Sequence, residues 1–320
     1  MRVLVAGASG AIGLALIPKL VAAGHSVVGI TRSPGKRASI SALGAGVAVA
    51  DALDEAQILK VTEDARPEVI VHELTDLGAA TDLRHFDRTF RVTNLLRTRG
   101  LDYLLEAGRK MGVKRFVAQS YCGWPYERVG APIKSESDPL DPHPPAEMIA
   151  ALDAIRYLEN TLRSENSLQG VVLRYGSFYG PGTGLTGEAV AKAIIHRRFP
   201  VIGDGGGWWS FVHIDDAATA TALAIERGAP GTYNIVDDEP APAREWIPAL
   251  ARILKARPPL HLPKWLARLL AGEHLVTMMT ESRAGSNLKA KRELAWRPQY
   301  GSWRQGFEVS LRSSPAVPIP

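Results

Sequence analysis

The stretch Val3–Gly13, "VLVAGASGAIG", decides how the rest of the chain is read. Its apolar opening reads as a buried strand, and the segment "LALIPKLVAAGH" that follows reads as a helix. Between them stand Gly7, Gly10 and Gly13. A glycine at 7 permits a tight turn, one at 10 lets backbone approach a pyrophosphate, and one at 13 allows helix to pack closely on strand. The tip of the helix then presents free N–H groups to phosphate. A glycine triplet alone is a weak signal, but the strand before it and the helix after it make this a dinucleotide-binding turn. Ser9, Ala11 and Ile12 join the three glycines as cofactor-binding candidates.

Working outward, the second strand ends in "VVGITRSPGKR". A carboxylate at the Thr31 position would grip the two ribose hydroxyls of NAD. Thr31 leaves room instead, and Arg32 follows, with Lys36 and Arg37 behind. A guanidinium can stack on adenine and pair with a 2′-phosphate. The pattern therefore predicts NADP in preference to NAD. Asp51, closing "VAVAD", is placed to meet the adenine amino group, with Ala52 beside it, and Leu74 closes the fourth strand over the cleft.

Short apolar runs alternate with helical patterns through the first two-thirds of the chain. Strands are expected at Arg2–Ala6, Ser26–Ile30, Val47–Ala50, Val69–Leu74, Arg115–Gln119 and Gly170–Tyr175, with helices such as Ala11–Ala23 and Phe86–Met111. That rhythm predicts an α/β fold, a Rossmann-type doubly wound parallel sheet. Ligands then bind at the carboxyl ends of the strands. From Gly176 the rhythm breaks, which divides the chain into a nucleotide-binding domain over 1–175 and a smaller α/β substrate-binding region over 176–312, interleaved with the last sheet elements. Residues 313–320, "SSPAVPIP", have nothing to bury and read as a frayed tail. The proline-rich Gly123–Pro145 reads as one long surface loop, either a lid or a plain excursion.

Composition narrows the function classes. The 320 residues are 46% hydrophobic and 22% charged, ordinary values for a globular chain with a large core. The net charge of +5 is dispersed, so no nucleic-acid face is predicted, although a mild positive balance suits a phosphate-bearing cofactor. A single cysteine, Cys122, excludes an internal disulfide. No apolar run approaches the roughly 18 residues of a membrane span, and no signal-peptide pattern precedes the first strand. The expectation is a soluble, cytoplasmic protein. The eight histidines show no metal-ligand spacing, so no metal site is expected.

These motifs resemble the extended short-chain dehydrogenase/reductase family, also called the NAD-dependent epimerase/dehydratase family. The spacing Gly7-x-x-Gly10-x-x-Gly13 is that family's, and "VKRFVAQS", "VVLRYGSFYGPGT", "FVHIDDAATATALAIE", "GTYNIVDDEP" and "KAKRELAWRP" match its later segments in order. The resemblance implies a nicotinamide bound over a serine or threonine, a tyrosine and a lysine in Y-x-x-x-K. Here the chain departs. Aligned on Glu159, the tyrosine and lysine positions fall on Ala151 and Ile155, and Tyr157 is followed four residues later by Thr161. Met148, Leu152, Ile155, Leu158 and Leu162 form an apolar stripe, so this helix reads as packing. Arg97 takes the place of an asparagine in the fourth-helix pattern and reads as a surface charge.

The catalytic candidates are Ser120 and Tyr121, at the end of the fifth strand. Ser120 is either a hydroxyl bonding a substrate carbonyl or a strand-end serine bonding backbone. Tyr121 is either a relocated acid/base or an aromatic wall. Ser177 and Phe178 lie where the family contacts the nicotinamide. Tyr126, Tyr179 and the pair Trp208–Trp209 are substrate-binding candidates, the tryptophans suiting an apolar or aromatic molecule or else plain burial. His213 reads as a satisfied strand histidine, and Asp215 and Asp216 as a helix cap. The expected function is NADP-dependent reduction of a carbonyl or activated C=C in a small, fairly apolar metabolite. A redox-neutral isomerase, epimerase, dehydratase or cyclase, and a non-catalytic NADP-binding regulator, stay open as alternatives. The partner is a small molecule, and a homodimer through the fourth and fifth helices is compatible with the family pattern.

Overall fold

A computed structural model describes residues 1–77 and 85–312; the expected frayed tail at 313–320 lies outside the described residues. Seven strands form one parallel sheet: β1 (Arg2–Ala6), β2 (Ser26–Thr31), β3 (Gly46–Val49), β4 (Val69–His72), β5 (Arg115–Tyr121), β6 (Gln169–Tyr175) and β7 (Gly231–Ile235). Their spatial order is β7-β6-β5-β4-β1-β2-β3. The chain runs outward from β1 through β2 to β3, then crosses back to β4. That reversal opens a crevice above the carboxyl ends of β1 and β4. Val3 to Ala6 and Val69 to Val71 are buried, as expected when helices cover both faces of a parallel sheet.

On one face lie α1 (Ala11–Ala22), α2 (Arg37–Ser41) and a later helix, while the other face is covered by elements between β3 and β6. These are α3 (Glu55–Ala65), α4 (Phe86–Leu95), α5 (Leu101–Lys110) and α6 (Ile149–Arg163). The helix expected over Phe86–Met111 is interrupted by a five-residue π turn, Leu96–Gly100, between α4 and α5. The wide turn carries Arg97 inward, so the expected surface charge is only 4% exposed. The apolar stripe of α6 is buried as its spacing predicts, and Tyr157 points outward to Asp102 on α5 at 2.9 Å.

The remaining helices are α7 (Glu188–Ile195), α8 (Ile214–Glu226), α9 (Ala243–Ile253), α10 (Lys264–Ala271), α11 (Glu273–Thr280), α12 (Leu288–Glu293) and α13 (Trp303–Arg312). α8 is the helix that packs with α1, and β7 completes the sheet, so part of the chain beyond 175 returns to the nucleotide-binding half. The rest builds a second core around Trp246, Trp303, Phe211 and Phe307. The segment Gly123–Pro145 is not the solvated surface loop that its prolines suggest. Trp124, Tyr126, Lys134 and Asp141 are buried, and Ile133–Lys134 pairs with Ala284–Gly285. Arg128 pins it by pairing with Asp141 at 2.8 Å and Glu281 at 2.7 Å. Among the described residues, no helix is long and apolar enough to cross a membrane.

Candidate functional site

The turn after β1 has the shape its glycines allow. Gly7 sits at φ +96°, and a Cβ there would lie 2.5 Å from the carbonyl oxygen of Glu73. A Cβ on Gly13 would lie 2.5 Å from the carbonyl oxygen of Gly7, so helix and strand approach as closely as backbone permits. No side chain caps α1 at Gly10, which leaves the helix tip open to an anion. Among these candidates Ser9 bonds Thr31 at 3.1 Å, and Thr31 is buried at the floor of the cleft, accepting also from the Ser33 N–H. Arg32 and Arg37 are exposed beyond it, and Arg32 reaches across to Asp76 at 2.5 Å. Asp51 is exposed, its carboxylate accepting from the Leu53 N–H, while Ala52 is buried and Leu74 half-buried. An uncapped helix tip, a Cβ-free cradle and the exposed guanidinium groups of Arg32, paired with Asp76, and Arg37 fit a phosphorylated dinucleotide.

Beneath the cradle lies a side chain that sequence reasoning did not single out. Glu73 is 5% exposed; Tyr175 donates to its Oε1 at 3.0 Å, and its Oε2 has no partner among the described residues. Burial pushes this carboxyl up to about 8, against the Tyr175 hydrogen bond that lowers it. Glu73 is therefore largely protonated at neutral pH.

At the end of β5, strand alternation separates the two catalytic candidates. Ser120 faces α6, is 1% exposed, and donates to Glu159 Oε1 at 2.7 Å. Arg174 grips the same carboxylate through Nε at 2.8 Å and through Nη2 at 2.5 Å. Ser120 thus belongs to a buried ion pair and does not reach a substrate carbonyl. Tyr121 faces the other way, its hydroxyl 2.9 Å from Ser177 Oγ. Burial raises the phenol to about 12, only partly opposed by the Ser177 hydrogen bond. Among the described residues no cation sits beside it to lower that value.

Tyr121 and Ser177 line a narrow crevice, with about 10 Å³ of free space, together with Cys122, Trp124, Trp208, Trp209 and Met278. The two tryptophans form a short strand paired with Ala241–Pro242, and both are half-buried. Trp209 donates to the Met278 carbonyl at 3.2 Å and its ring lies 5.1 Å from Trp246. Phe178 is half-buried one residue on, its ring 5.4 Å from Tyr175. Where a catalytic tyrosine and lysine would stand, Ala151 and Ile155 join Phe86, Trp124, Leu152 and Met278 in an apolar cluster.

Two substrate candidates lie elsewhere. Tyr126 is fully buried, donating to Asn234 Oδ1 at 2.7 Å and accepting from Arg174 at 3.0 Å. Tyr179 is also fully buried, edge-on to Phe307 at 5.2 Å in the second core. Burial holds both phenols well above the ordinary tyrosine value. Both are packing residues. His213 is buried at 3% exposure and caps α8 through its ring, as expected of a satisfied strand histidine. Asp216 does more than charge the helix start: it accepts from the Gln299 and Tyr300 N–H groups and so fastens the C-terminal region to α8.

The model of the NAD dependent epimerase/dehydratase family matches residues 3–236. The chain belongs to this family. Within it, the chain is 41% identical over 309 residues to the 3-diazoavenalumate denitrifying reductase of a Streptomyces species, covering 96% of this chain and 99% of that protein. It also resembles the UDP-glucose 4-epimerase of Thermotoga maritima, solved with UDP-glucose, at a TM-score of 0.76 and 25% identity, with 98% of each chain covered. The Thermus thermophilus UDP-glucose 4-epimerase, solved in complex with NAD, superposes at a TM-score of 0.73, with 25% identity and 98% of each chain covered. As a member of this family the protein is an oxidoreductase of the short-chain dehydrogenase/reductase superfamily, with a nicotinamide cofactor on a reductase scaffold. Sequence reasoning missed Trp124 and Met278 in the crevice; only the position of Trp124 just past Tyr121 signalled it.

Proposed function

We propose that this protein is an NADPH-dependent reductase whose acceptor is a diazo-bearing aromatic molecule, from which dinitrogen is lost as hydride is gained. The observation that carries this reading is the chemistry of the crevice. Tyr121, Trp124, Trp208, Trp209 and Met278 offer aromatic and thioether surface, and the crevice lining holds no charged residue and no histidine. A ketone or an activated C=C needs a proton as it is reduced, and the family's source for that proton is replaced by Ala151 and Ile155. Tyr121, its phenol raised to about 12 without a neighbouring cation, is a poor replacement. An arenediazonium ion makes no such demand. Its C–N bond breaks, a C–H bond forms, N₂ departs, and no proton is consumed. A reduced nicotinamide, when bound at the strand ends, would supply the hydride.

The protein's residues then have three tasks. The rings of Tyr121, Trp124 and the two tryptophans orient a flat cation against their π faces. Their bulk excludes water, which otherwise competes for the electrophile. Ser177 holds the Tyr121 hydroxyl at 2.9 Å and so fixes the ring as a wall. Arg32 and Arg37 favour a 2′-phosphate, which would take the place of Asp76 on Arg32. The relative's name, a denitrifying reductase of a diazo compound, supports the same acceptor class.

The test supplies NADPH carrying deuterium at C4 with a hydroxyarenediazonium salt, and in parallel with a panel of ketones, enones and UDP-glucose. One N₂ per NADPH oxidised, with deuterium at the vacated aryl carbon, is expected. Faster turnover of a ketone or enone, or epimerisation of the sugar nucleotide with the diazonium untouched, overturns the reading. Exchange of Arg32 for alanine should weaken NADPH by about tenfold relative to NADH.

A further inference from the structure

Beside the dinucleotide cleft one charged side chain is left unmatched. Arg97 is 4% exposed, and its Nη1 is fully buried with no hydrogen-bond partner among the described residues. Among the described residues its guanidinium forms no ion pair. Glu159 is the carboxylate whose charge it feels, but both oxygens of Glu159 are taken by Arg174 and Ser120. Burial draws the Arg97 guanidinium down only to about 10, opposed by Glu159, so it stays charged at neutral pH. Burying an unpaired cation is expensive, and a fold that keeps one has a reason outside its own packing.

The position of Arg97 supplies that reason. Thr93 and Gly100, before and after Arg97 on the α4–α5 rod, show what this stretch packs against. Thr93 Oγ1 accepts from the Asp76 N–H at 3.0 Å, in the segment that leaves β4 past Leu74. A Cβ on Gly100 would lie 3.5 Å from the carbonyl oxygen of Ala52, in the segment that leaves β3. Between them, the Leu96 carbonyl meets His72 Nε2 at 2.9 Å, at the tip of β4. The stretch bearing Arg97 is thus a wall of the cleft that β1, β3 and β4 open onto. The π turn is what brings it there, since the extra residue rotates Arg97 inward while α5 continues.

We infer that Arg97 is a cofactor-binding residue, its guanidinium held in the cleft wall to donate hydrogen bonds to oxygens of the dinucleotide beyond the adenosine, on the pyrophosphate and nicotinamide-ribose half. It supplies from the α4–α5 rod a positive charge that α6 does not carry at Ile155, the position that the family resemblance gives to a lysine. This inference rests on the reading of the cleft as a nicotinamide-dinucleotide site, but not on the identity of the acceptor.

The experiment measures dissociation constants by tryptophan fluorescence for NADP⁺ and for 2′,5′-ADP, which has the phosphorylated adenosine but neither the pyrophosphate bridge nor the second ribose. It is run on the wild-type protein, Arg97→Met and Arg97→Lys, with thermal melts of each. Arg97→Met should bind NADP⁺ about 10- to 100-fold more weakly and 2′,5′-ADP within about twofold of wild type. Its melting temperature should be unchanged or higher, since the exchange removes an unpaired buried charge. Arg97→Lys should regain at least about threefold of the NADP⁺ affinity. Equal weakening of both ligands, no weakening of either, or a lowered melting temperature with unaltered selectivity would each overturn the inference. A wild-type protein that binds neither ligand would overturn the cofactor reading as well, and that result shows in the wild-type measurement alone.

Discussion

The two halves of the site diverge in what holds them to type. The dinucleotide cleft follows the family pattern nearly residue for residue, from Gly7, Gly10 and Gly13 to the open tip of α1. Beside the crevice, the positions that the family resemblance gives to tyrosine and lysine hold Ala151 and Ile155, which pack with Phe86, Trp124 and Met278. The first half works through backbone N–H groups and the absence of Cβ atoms, requirements that any substitution violates. The second works through side chains, which the proposed diazonium chemistry frees for replacement because it needs no proton. On that reading a scaffold keeps its cofactor while changing its chemistry.

The largest test of that contrast is Glu159→Ala. It strips Arg174 and Ser120 of their shared buried carboxylate and should cost about 3–5 kcal/mol in urea unfolding. Ser120→Ala should cost only about 1 kcal/mol and leave turnover unaltered, as a structural hydroxyl would. Next, Gly7→Ala places a methyl group against the Glu73 carbonyl at positive φ. A loss of at least about 100-fold in NADP⁺ affinity, some 2.7 kcal/mol by calorimetry, is expected.

Glu73 sharpens the comparison through pH. Its folded-state carboxyl is raised from 4.5 to about 8, so the unfolded chain releases this proton first and stability falls as pH rises between those two values. Glu73→Gln should remove that slope and stabilise the protein at pH 8 by about 1–3 kcal/mol, read from melts across the range. The smallest effect is the most telling for the crevice. Tyr121→Phe should change turnover of a diazonium acceptor by less than about threefold; a loss of 100-fold, the scale of a missing general acid, would return the crevice to ordinary family chemistry.

What the sequence made legible follows the same division. The glycine turn, the order of the motifs and six of the seven sheet strands could be read because backbone geometry and buried runs leave local marks. β7 was visible as "TYNIV", although nothing local said it would rejoin the sheet. The side-chain half was harder. Ser120 and Tyr121 are neighbours, and only packing against α6 decides which faces the crevice. Tyr126 sits among prolines that suggest solvent, yet its hydroxyl closes a buried link between Arg174 and Asn234. Arg97 had the composition of a surface residue, and one additional residue in a helical turn put it inside.

The ring of Trp209 also touches Trp246, which meets Phe211, and Phe211 rests on Trp303 and Phe307 of α13. Residues almost a hundred positions downstream therefore set how far apart the crevice walls stand. If the crevice seats the acceptor as proposed, exchanges in α13 would retune its width through this relay of rings, without any change among the groups that line it.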